Sequence, residues 1–409
     1  MTENLRRERS VVLLVAAVQF VNILDFMMIM PLGPDFAKAL GISTAHIGYL
    51  GGSYTGAAAI AGILGAGFLD RFDRRKALAV AMLGLSIGTV LGGLAQGMYS
   101  LLFARVIAGA FGGPATAIAL AIVSDVVPSE RRGKAMGTVM TAFSVASILG
   151  VPAGLEIARH FGWRAPFISV AALSLVVSSL VVYALPSLRG HIGRTSRAVD
   201  SPALLDALSL TSLLGTALTM VGVFAVVPNI SAFLQNNLGF PRERLGLIYM
   251  IGGTVTFLAT RRIGMLVDRF GATKPIIAGT MLFALSLYLG FIDPVDVEWV
   301  VFVFPLLMLS GSARGVPMNA LSSRVPRPDQ RARFMSAQSA VQHLASSIGA
   351  LSSSLVLSAD SQGHLIHMPA VATAAIFVAA LVPVVAMRVE MGVRSREAAS
   401  RALTRAEAC

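Results

Sequence analysis

The chain has 409 residues, 55% of them hydrophobic and 13% charged, with a net charge of +12 and a mean hydropathy of +0.75. A soluble domain carries about 25% charged residues, so this composition excludes one and points to a chain that crosses a bilayer repeatedly. The basic residues fall in short loops between apolar stretches, where they set topology and meet anionic lipid rather than nucleic acid. Cys409, the one cysteine, lies in a polar tail and offers neither a disulfide framework nor a metal cluster.

Residues 1–9 are polar and basic, with Arg6, Arg7 and Arg9. The apolar stretch that follows is too long for a signal-peptide core and lacks a small-residue cleavage pattern, so an uncleaved first helix is expected. Apolar stretches of bilayer-spanning length, about 20 residues, are predicted at 10–32, 45–69, 77–97, 99–125, 135–158 and 164–186. Six more follow at 207–231, 245–267, 275–292, 297–323, 335–357 and 370–387. The expected fold is an all-α membrane protein of twelve spans. Residues 1–186 form one six-helix bundle, 187–206 a cytoplasmic linker, 207–388 a second bundle and 389–409 a cytoplasmic tail. The linker carries Pro186, Gly190, Gly193, Ser196 and Pro202, which suits a connector. The tail mixes Arg, Glu and Ala and is expected to be a short helix at the membrane surface. Small-residue spacings at Gly62, Gly65 and at Gly109, Gly113 predict close helix contacts.

Lysine and arginine set the orientation. The loops on the side of the termini hold Arg71, Arg74, Arg75, Lys76, Arg131, Arg132, Lys134, Arg269 and Lys274, among others. The opposite side keeps Lys38, Arg159, Arg164, Arg242 and Arg244. Both termini are therefore expected in the cytoplasm, with the protein in the cytoplasmic (inner) membrane.

An internal repeat divides the chain. Asp70-Arg71-Phe72 and Asp268-Arg269-Phe270 lie 198 residues apart, as do Lys76 and Lys274, and Val127-Pro128 and Val325-Pro326. Two related halves are a common plan of transporters, with the substrate between them near mid-membrane.

Residues 66–76 and 264–274 resemble the loop signature of the major facilitator superfamily, roughly Gly-x-Leu-x-Asp-Arg-x-Gly-Arg-Arg/Lys, and the resemblance extends over the whole chain. Ala66, Phe68 and Asp73 depart from it in the first half, and Ala272 and Thr273 in the second. Within the superfamily the chain is similar to the twelve-span proton-coupled efflux branch. Arg105 with Gly109 resembles its fourth-helix arginine motif. Asp125, Pro128, Arg131, Arg132, Gly133 and Gly137 resemble its loop 4–5 pattern. Gly150, Pro152 and Gly154 resemble its fifth-helix antiporter motif, with Val151 separating a glycine and proline that are usually adjacent. Asn22-x-x-Asp25-Phe26 resembles the first-helix pattern of such exporters. The resemblance implies a secondary transporter, and links Arg105 to proton movement.

Individual residues support parts of that picture. Asp25 lies about 15 residues into the first span, roughly 22 Å deep, where a lipid-facing carboxylate would cost at least ~2.5 kcal/mol. Burial disfavours the charged form of a carboxyl and a nearby cation favours it. Asp25 is thus either a reversible proton carrier or a permanently paired structural acid. Arg105 sits at a similar depth, either as its electrostatic counterpart or as a brace on backbone carbonyls. Arg314 in the tenth span has no obvious acidic partner; it contacts an anionic substrate group or bonds local carbonyls. Asp70, Arg71, Arg74, Arg75, Asp125, Arg131, Arg132, Asp268 and Arg269 form candidate charge clusters of a conformational gate. Candidate cavity residues are Gln19, Asn22, Asn229, Gln235, Asn319, Gln338 and Gln342, each equally suited to joining helices. To these is added the adaptable stretch around Ile29, with Met27, Met28 and Met30.

The sequence holds no P-loop, metal cluster or nucleophile–His–acid constellation, which argues against an enzyme and against an ATP-driven pump. The expected function is proton-coupled export of small apolar or amphiphilic compounds, by a monomer, with the proton gradient as energy source and no cofactor. A sugar or metabolite carrier of the same fold is the alternative. A membrane sensor is remote, because residues 388–409 are too short for a signalling domain.

Overall fold

The computed structural model describes residues 2–68, 71–189, 206–327 and 330–407. The first half contains α1 (Thr2–Met28), a short α2 (Gly33–Leu40), α3 (Ile47–Phe68), α4 (Arg74–Gly93) and α5 (Met98–Val126). It continues with α6 (Ser129–Val145), α7 (Val151–Phe161) and α8 (Arg164–Ala184). A π turn over Ala146–Gly150 joins α6 to α7 as one span. The second half runs through α9 (Ala207–Val226), a one-turn α10 (Ile230–Ala232), α11 (Leu245–Phe270), α12 (Thr273–Leu287), α13 (Val300–Ser322), α14 (Arg331–Val356) and α15 (Met368–Glu407). With α6–α7 and α9–α10 each counted once, these are twelve membrane-length segments among the described residues, six per bundle.

Ten of the twelve are apolar enough to cross a membrane by composition. The exceptions are α11 and α14, each 26 residues long. Both face the other bundle: α14 packs on α3, and α11 on α6, α7 and the π turn between them. A helix with a protein neighbour on that side can carry the serines, glutamines and arginines that lipid would reject.

Within the first bundle α5 packs between α3 and α4, α4 meets α8, and α1 meets α6. Small residues set the closest approaches. A Cβ added at Gly109 would lie 2.1 Å from the Tyr54 carbonyl oxygen, and one at Gly113 2.7 Å from that of Ala58, so the expected contact at this pair is present. Gly62 is different, with nothing within 4 Å of an added Cβ. The glycines that do bring α3 to its neighbour lie earlier. A Cβ at Gly48 would meet the Ala350 oxygen at 2.4 Å, at Gly52 the Leu351 side chain at 2.8 Å, and at Gly56 the Ser347 hydroxyl at 2.9 Å.

That seam reveals the shape. Gly48, Gly52, Gly56 and Ile63 fall within about 80° of one another around α3. The three glycines press on α14, yet Ile63, two turns further toward the termini, is 58% exposed. The bundles therefore touch on the face opposite the termini and splay apart toward the termini. On the closed face Arg242 pairs with Asp35 at 2.8 Å, and the Ser231 hydroxyl donates to the Pro31 carbonyl. A small hairpin of β1 (Ser358–Ala359) and β2 (Leu365–Ile366) lies there too. Gly363, at φ +81°, turns its carbonyl to accept from both Thr44 Oγ1 and Asn236 Nδ2.

The end of the chain departs from expectation. The tail is no separate surface helix; α15 continues unbroken to Glu407. Val389 and Val393 are buried, and Arg396 pairs with Asp206 at the head of α9, so the extension packs on its own bundle. The expected linker residues 190–205, and Cys409, lie outside the described residues.

The α3–α14 seam yields a prediction. Gly52→Leu is expected to raise several-fold the maleimide reactivity of a cysteine placed at Ser354, in a Cys409→Ser background. Gly62→Leu should leave that reactivity unchanged. Equal effects of the two would show that the seam does not hold the closed face.

Candidate functional site

α1 carries Gln19, Asn22 and Asp25 at three-residue steps, which place them on one side of the helix. That side faces α3, α4 and α5. Asp25 is fully buried, and Arg105 on α5 is 1% exposed. Arg105 Nη1 donates to Asp25 Oδ2 at 3.0 Å, and Thr89 Oγ1 on α4 donates to Oδ1 at 2.7 Å. The Arg105 guanidinium stacks 4.5 Å from the centre of the Tyr54 ring. Equal depth along two helices is thus an actual contact, and three helices converge on one carboxylate.

A second layer fixes the first. The Tyr54 hydroxyl donates to Asn22 Oδ1 at 2.9 Å, while Asn22 Nδ2 donates to the Gly112 carbonyl at 2.8 Å and to Thr116. Arg105 Nε and Nη2 have no hydrogen-bond partner among the described residues. Removing one member of such a pair leaves an uncompensated buried charge, at a cost of about 3–5 kcal/mol. Thr89 and Tyr54 are functional candidates that sequence reasoning missed: spacing identifies the face of one helix, not its partners on the next.

Of the cavity candidates, only Asn22 joins this cluster. Asn22 links α1, α3 and α5 rather than lining a cavity, and Gln19 is buried with Oε1 unpartnered among the described residues. Asn229 bonds Ser353 on α14, and Gln235 bonds the Ser231 carbonyl on its own helix. Asn319 accepts from Gln338 at 2.9 Å and Gln342 at 3.1 Å, forming a separate polar group between α13 and α14. Met28, Ile29 and Met30 are at most 4% exposed; Ile29 and Met30 lie in packed core, while Met28 borders a groove between α1, α7 and α8. Arg314 is fully buried on α13, far along the chain from any of these carboxylates, with its guanidinium 4.3 Å from the Phe283 ring centre.

The sequence description of the Major Facilitator Superfamily matches residues 15–211 and again 212–407. The chain belongs to the Major Facilitator Superfamily. It is a transporter and not an enzyme. Its relatives include Multidrug resistance protein 2 of Bacillus subtilis, 25% identical over 75% of this chain and 80% of that one. A Chloramphenicol resistance protein of Streptomyces lividans is 26% identical over 66% and 69%. Multidrug resistance protein MdtG of Escherichia fergusonii is 27% identical over 73% and 75%. Among solved structures, a bacterial homolog of the human lysosomal transporter Spinster, inward-facing and occupied, superposes with a TM-score of 0.68 at 17% identity, over 96% and 97% of the chains. A D-xylose-proton symporter gives 0.72 at 19% identity, over 91% and 96%.

The motif residues of the superfamily fall on the face of the termini. Arg74 pairs with Asp125 at 2.5 Å, Arg131 with Glu8 at 2.8 Å, and Arg132 donates to the Ser124 carbonyl. Arg75 reaches the Leu185 carbonyl. These bonds tie helices within the first bundle and do not cross to the second. Arg71 and Asp268 are exposed, Asp268 has no ion-pair partner among the described residues, and Arg269 stacks on Phe270. Asp70 lies outside the described residues. In the antiporter-like motif, Gly150 and Gly154 abut Leu24 and Met28 of α1, and Pro152 faces Gly246 of α11.

Asp73, which departs from the family signature, proves to be a clamp. It caps α4 by accepting from the Arg75 N–H, and it accepts from Ser187, from the Leu188 N–H and from Arg189 after α8. The second bundle reverses the parts: Glu390 on α15 accepts from the Thr273 N–H and hydroxyl at the head of α12.

Burial pushes the Asp73 carboxyl up, but the bonds from Ser187, Leu188, Arg75 and Arg189 outweigh it and hold it at about 2, below its ordinary 3.8. A lowered folded-state value stabilises the protein fully above the unfolded value and is lost as pH falls through the folded one. The thermal midpoint of wild type should therefore exceed that of Asp73→Asn above pH 3.8, with the gap closing toward pH 2. A gap that is constant over this window would show that the Asp73 charge contributes nothing.

Proposed function

We propose that this chain is a proton-coupled exporter of small apolar or amphiphilic compounds, working by alternating access between its two bundles. The observation that carries this reading is the sealed Asp25–Arg105 pair, because it is joined to the interface between the bundles. Phe26 follows Asp25. Its ring lies 5.2 Å from that of Tyr54, on which Arg105 stacks, and 5.9 Å from that of Phe224 on α9. Protonating Asp25 removes the charge that Arg105 balances. The guanidinium then favours whichever conformation gives it water or another acceptor, and binding a proton becomes a bias between two packings.

The charge distribution supports a cytoplasmic-membrane protein with both termini in the cytoplasm. The splayed face is then the cytoplasmic one, the state in which an exporter takes up cargo. One chain holds both bundles, so a monomer suffices, and the proton gradient supplies the energy without a cofactor. Within the first bundle a groove of about 270 Å³ between α1, α7 and α8 is lined by the apolar Phe20, Leu24, Met28, Leu149 and Leu173. The drug-resistance relatives favour an apolar or amphiphilic cargo. A sugar is disfavoured by the aromatic residues. Trp163 is packed among Phe36 and Phe167, and Trp299 stacks on Phe302 at a helix end, so neither indole is placed to cover a sugar ring.

Proton flux in proteoliposomes tests the reading, with lipophilic cations, neutral drugs and sugars as challenges. One compound class is expected to evoke proton movement in wild type, and Asp25→Asn to reduce it at least about tenfold, in line with the cost of breaking a buried pair. Arg105→Lys should fail similarly, since an ammonium cannot both stack flat on Tyr54 and reach Asp25. Unchanged gradient-driven transport in Asp25→Asn would place coupling elsewhere.

A further inference from the structure

The second bundle holds its own fully buried arginine, and that arginine has no counter-charge among the described residues. Arg314 Nε, Nη1 and Nη2 lack hydrogen-bond partners among the described residues, and the guanidinium rests on the face of Phe283. The chain repeat places α9, α12 and α13 where the first bundle has α1, α4 and α5. In the first bundle α5 supplies Arg105, α4 supplies Thr89 and α1 supplies Asp25. In the second, α13 supplies Arg314 and α12 supplies Phe283, but α9 presents Gly222. An added Cβ at Gly222 would lie 3.9 Å from Arg314 Nη2. Gly222 stands within one residue of the 198-residue counterpart of Asp25. By the same offset Arg105 corresponds to Val303, so Arg314 lies eleven positions further along α13; beside its guanidinium the α9 residue is a glycine and not an acid.

A guanidinium does not give up its proton. Left alone in a membrane interior it is strongly unfavourable, and contact with an aromatic ring offsets that in part. Its planar fork suits a carboxylate, which can accept two parallel N–H bonds. The neighbouring surface offers an approach. Gly311, Gly315 and Asn319 share one face of α13 at four-residue steps. Added Cβ atoms at both glycines meet nothing within 4 Å, and Asn319 is exposed beside Gln338 and Gln342. Arg314 thus adjoins an unfilled, partly polar face.

We propose that Arg314 receives the carboxylate of an amphiphilic organic anion, which fills in the second bundle the place that Asp25 fills in the first. This names the class of cargo and rests on the transporter reading above, without depending on proton coupling.

The test is thermal unfolding of the detergent-purified chain titrated with benzoate and octanoate, against their uncharged amides and against chloride, at constant sodium. No proton gradient is present, so failure here is separable from failure of the Asp25 flux experiment. At least one carboxylate is expected to raise the wild-type midpoint saturably by a few degrees, while its amide does not. Arg314→Gln removes the charge and Gly222→Asp supplies an internal carboxylate; both should abolish the response. Should Arg314→Gln fail to fold, wild type and Gly222→Asp still decide. Equal shifts with acid and amide, no shift with either carboxylate, or a response retained in Arg314→Gln or Gly222→Asp overturns the proposal. A chloride response matching that of the carboxylates overturns the assignment to an organic anion.

Discussion

A charge inside a membrane protein must find its opposite, and the first bundle is built around that requirement. Asp25 and Arg105 are shielded from both water and lipid, so each is tolerable because the other is present. Satisfying the pair draws in α1, α4 and α5 directly and α3 through Tyr54, four of the bundle's six spans. The Asn22–Tyr54 bond then positions the ring on which the guanidinium lies. The interaction organises packing as much as it stores a charge, and the helices around it could not slide independently without breaking it.

The contact between bundles follows the opposite principle. Along α3 and α14 it consists of glycines against serines, backbone and the Leu351 side chain, with the Ser347 hydroxyl donating to the Gly52 carbonyl at 2.8 Å. Along α11 it consists of Gly246 against Pro152 of α7, and of Gly253 against Ser147 and Ile148 of the π turn. Small residues allow close approach without interlocking side chains. The Arg242–Asp35 pair on the closed face is partly exposed, and a pair in that setting contributes about 1 kcal/mol or less. Strong internal cohesion and weak mutual adhesion make each bundle a body that can move as a unit.

Much of this was legible in the sequence because membranes impose coarse rules. Apolar run lengths marked the spans, the 198-residue repeat divided the halves, and helix rise alone put Asp25 and Arg105 at one depth. Depth is a single coordinate, however, and what lies across from a residue depends on helix rotation and neighbours. For that reason the sequence shows neither Thr89 nor Tyr54, suggests at Gly62 a contact that belongs to Gly48, Gly52 and Gly56, and suggests a cavity around Ile29 where Ile29 and Met30 are packed core. Asp73 was legible as a departure from a motif, but its role required knowing that the chain leaving α8 returns beside the head of α4.

The altered fifth-helix motif shows how local geometry absorbs a sequence change. Val151 separates Gly150 from Pro152, and the five residues before it, Ala146–Gly150, form a π turn. A π turn holds one more residue than an α turn, so an extra position can be accommodated without rotating the rest of the helix out of register. The consequence is visible on both sides of α7. Gly150 and Gly154 still meet Leu24 and Met28, the residues that flank Asp25 by one and three positions, while Pro152 still meets Gly246 across the interface. α7 is thereby wedged between the helix that carries the buried acid and the helix that borders the other bundle. Any shift of α1 that follows a change in the Asp25 charge must press on these two glycines, where no side chain is available to yield.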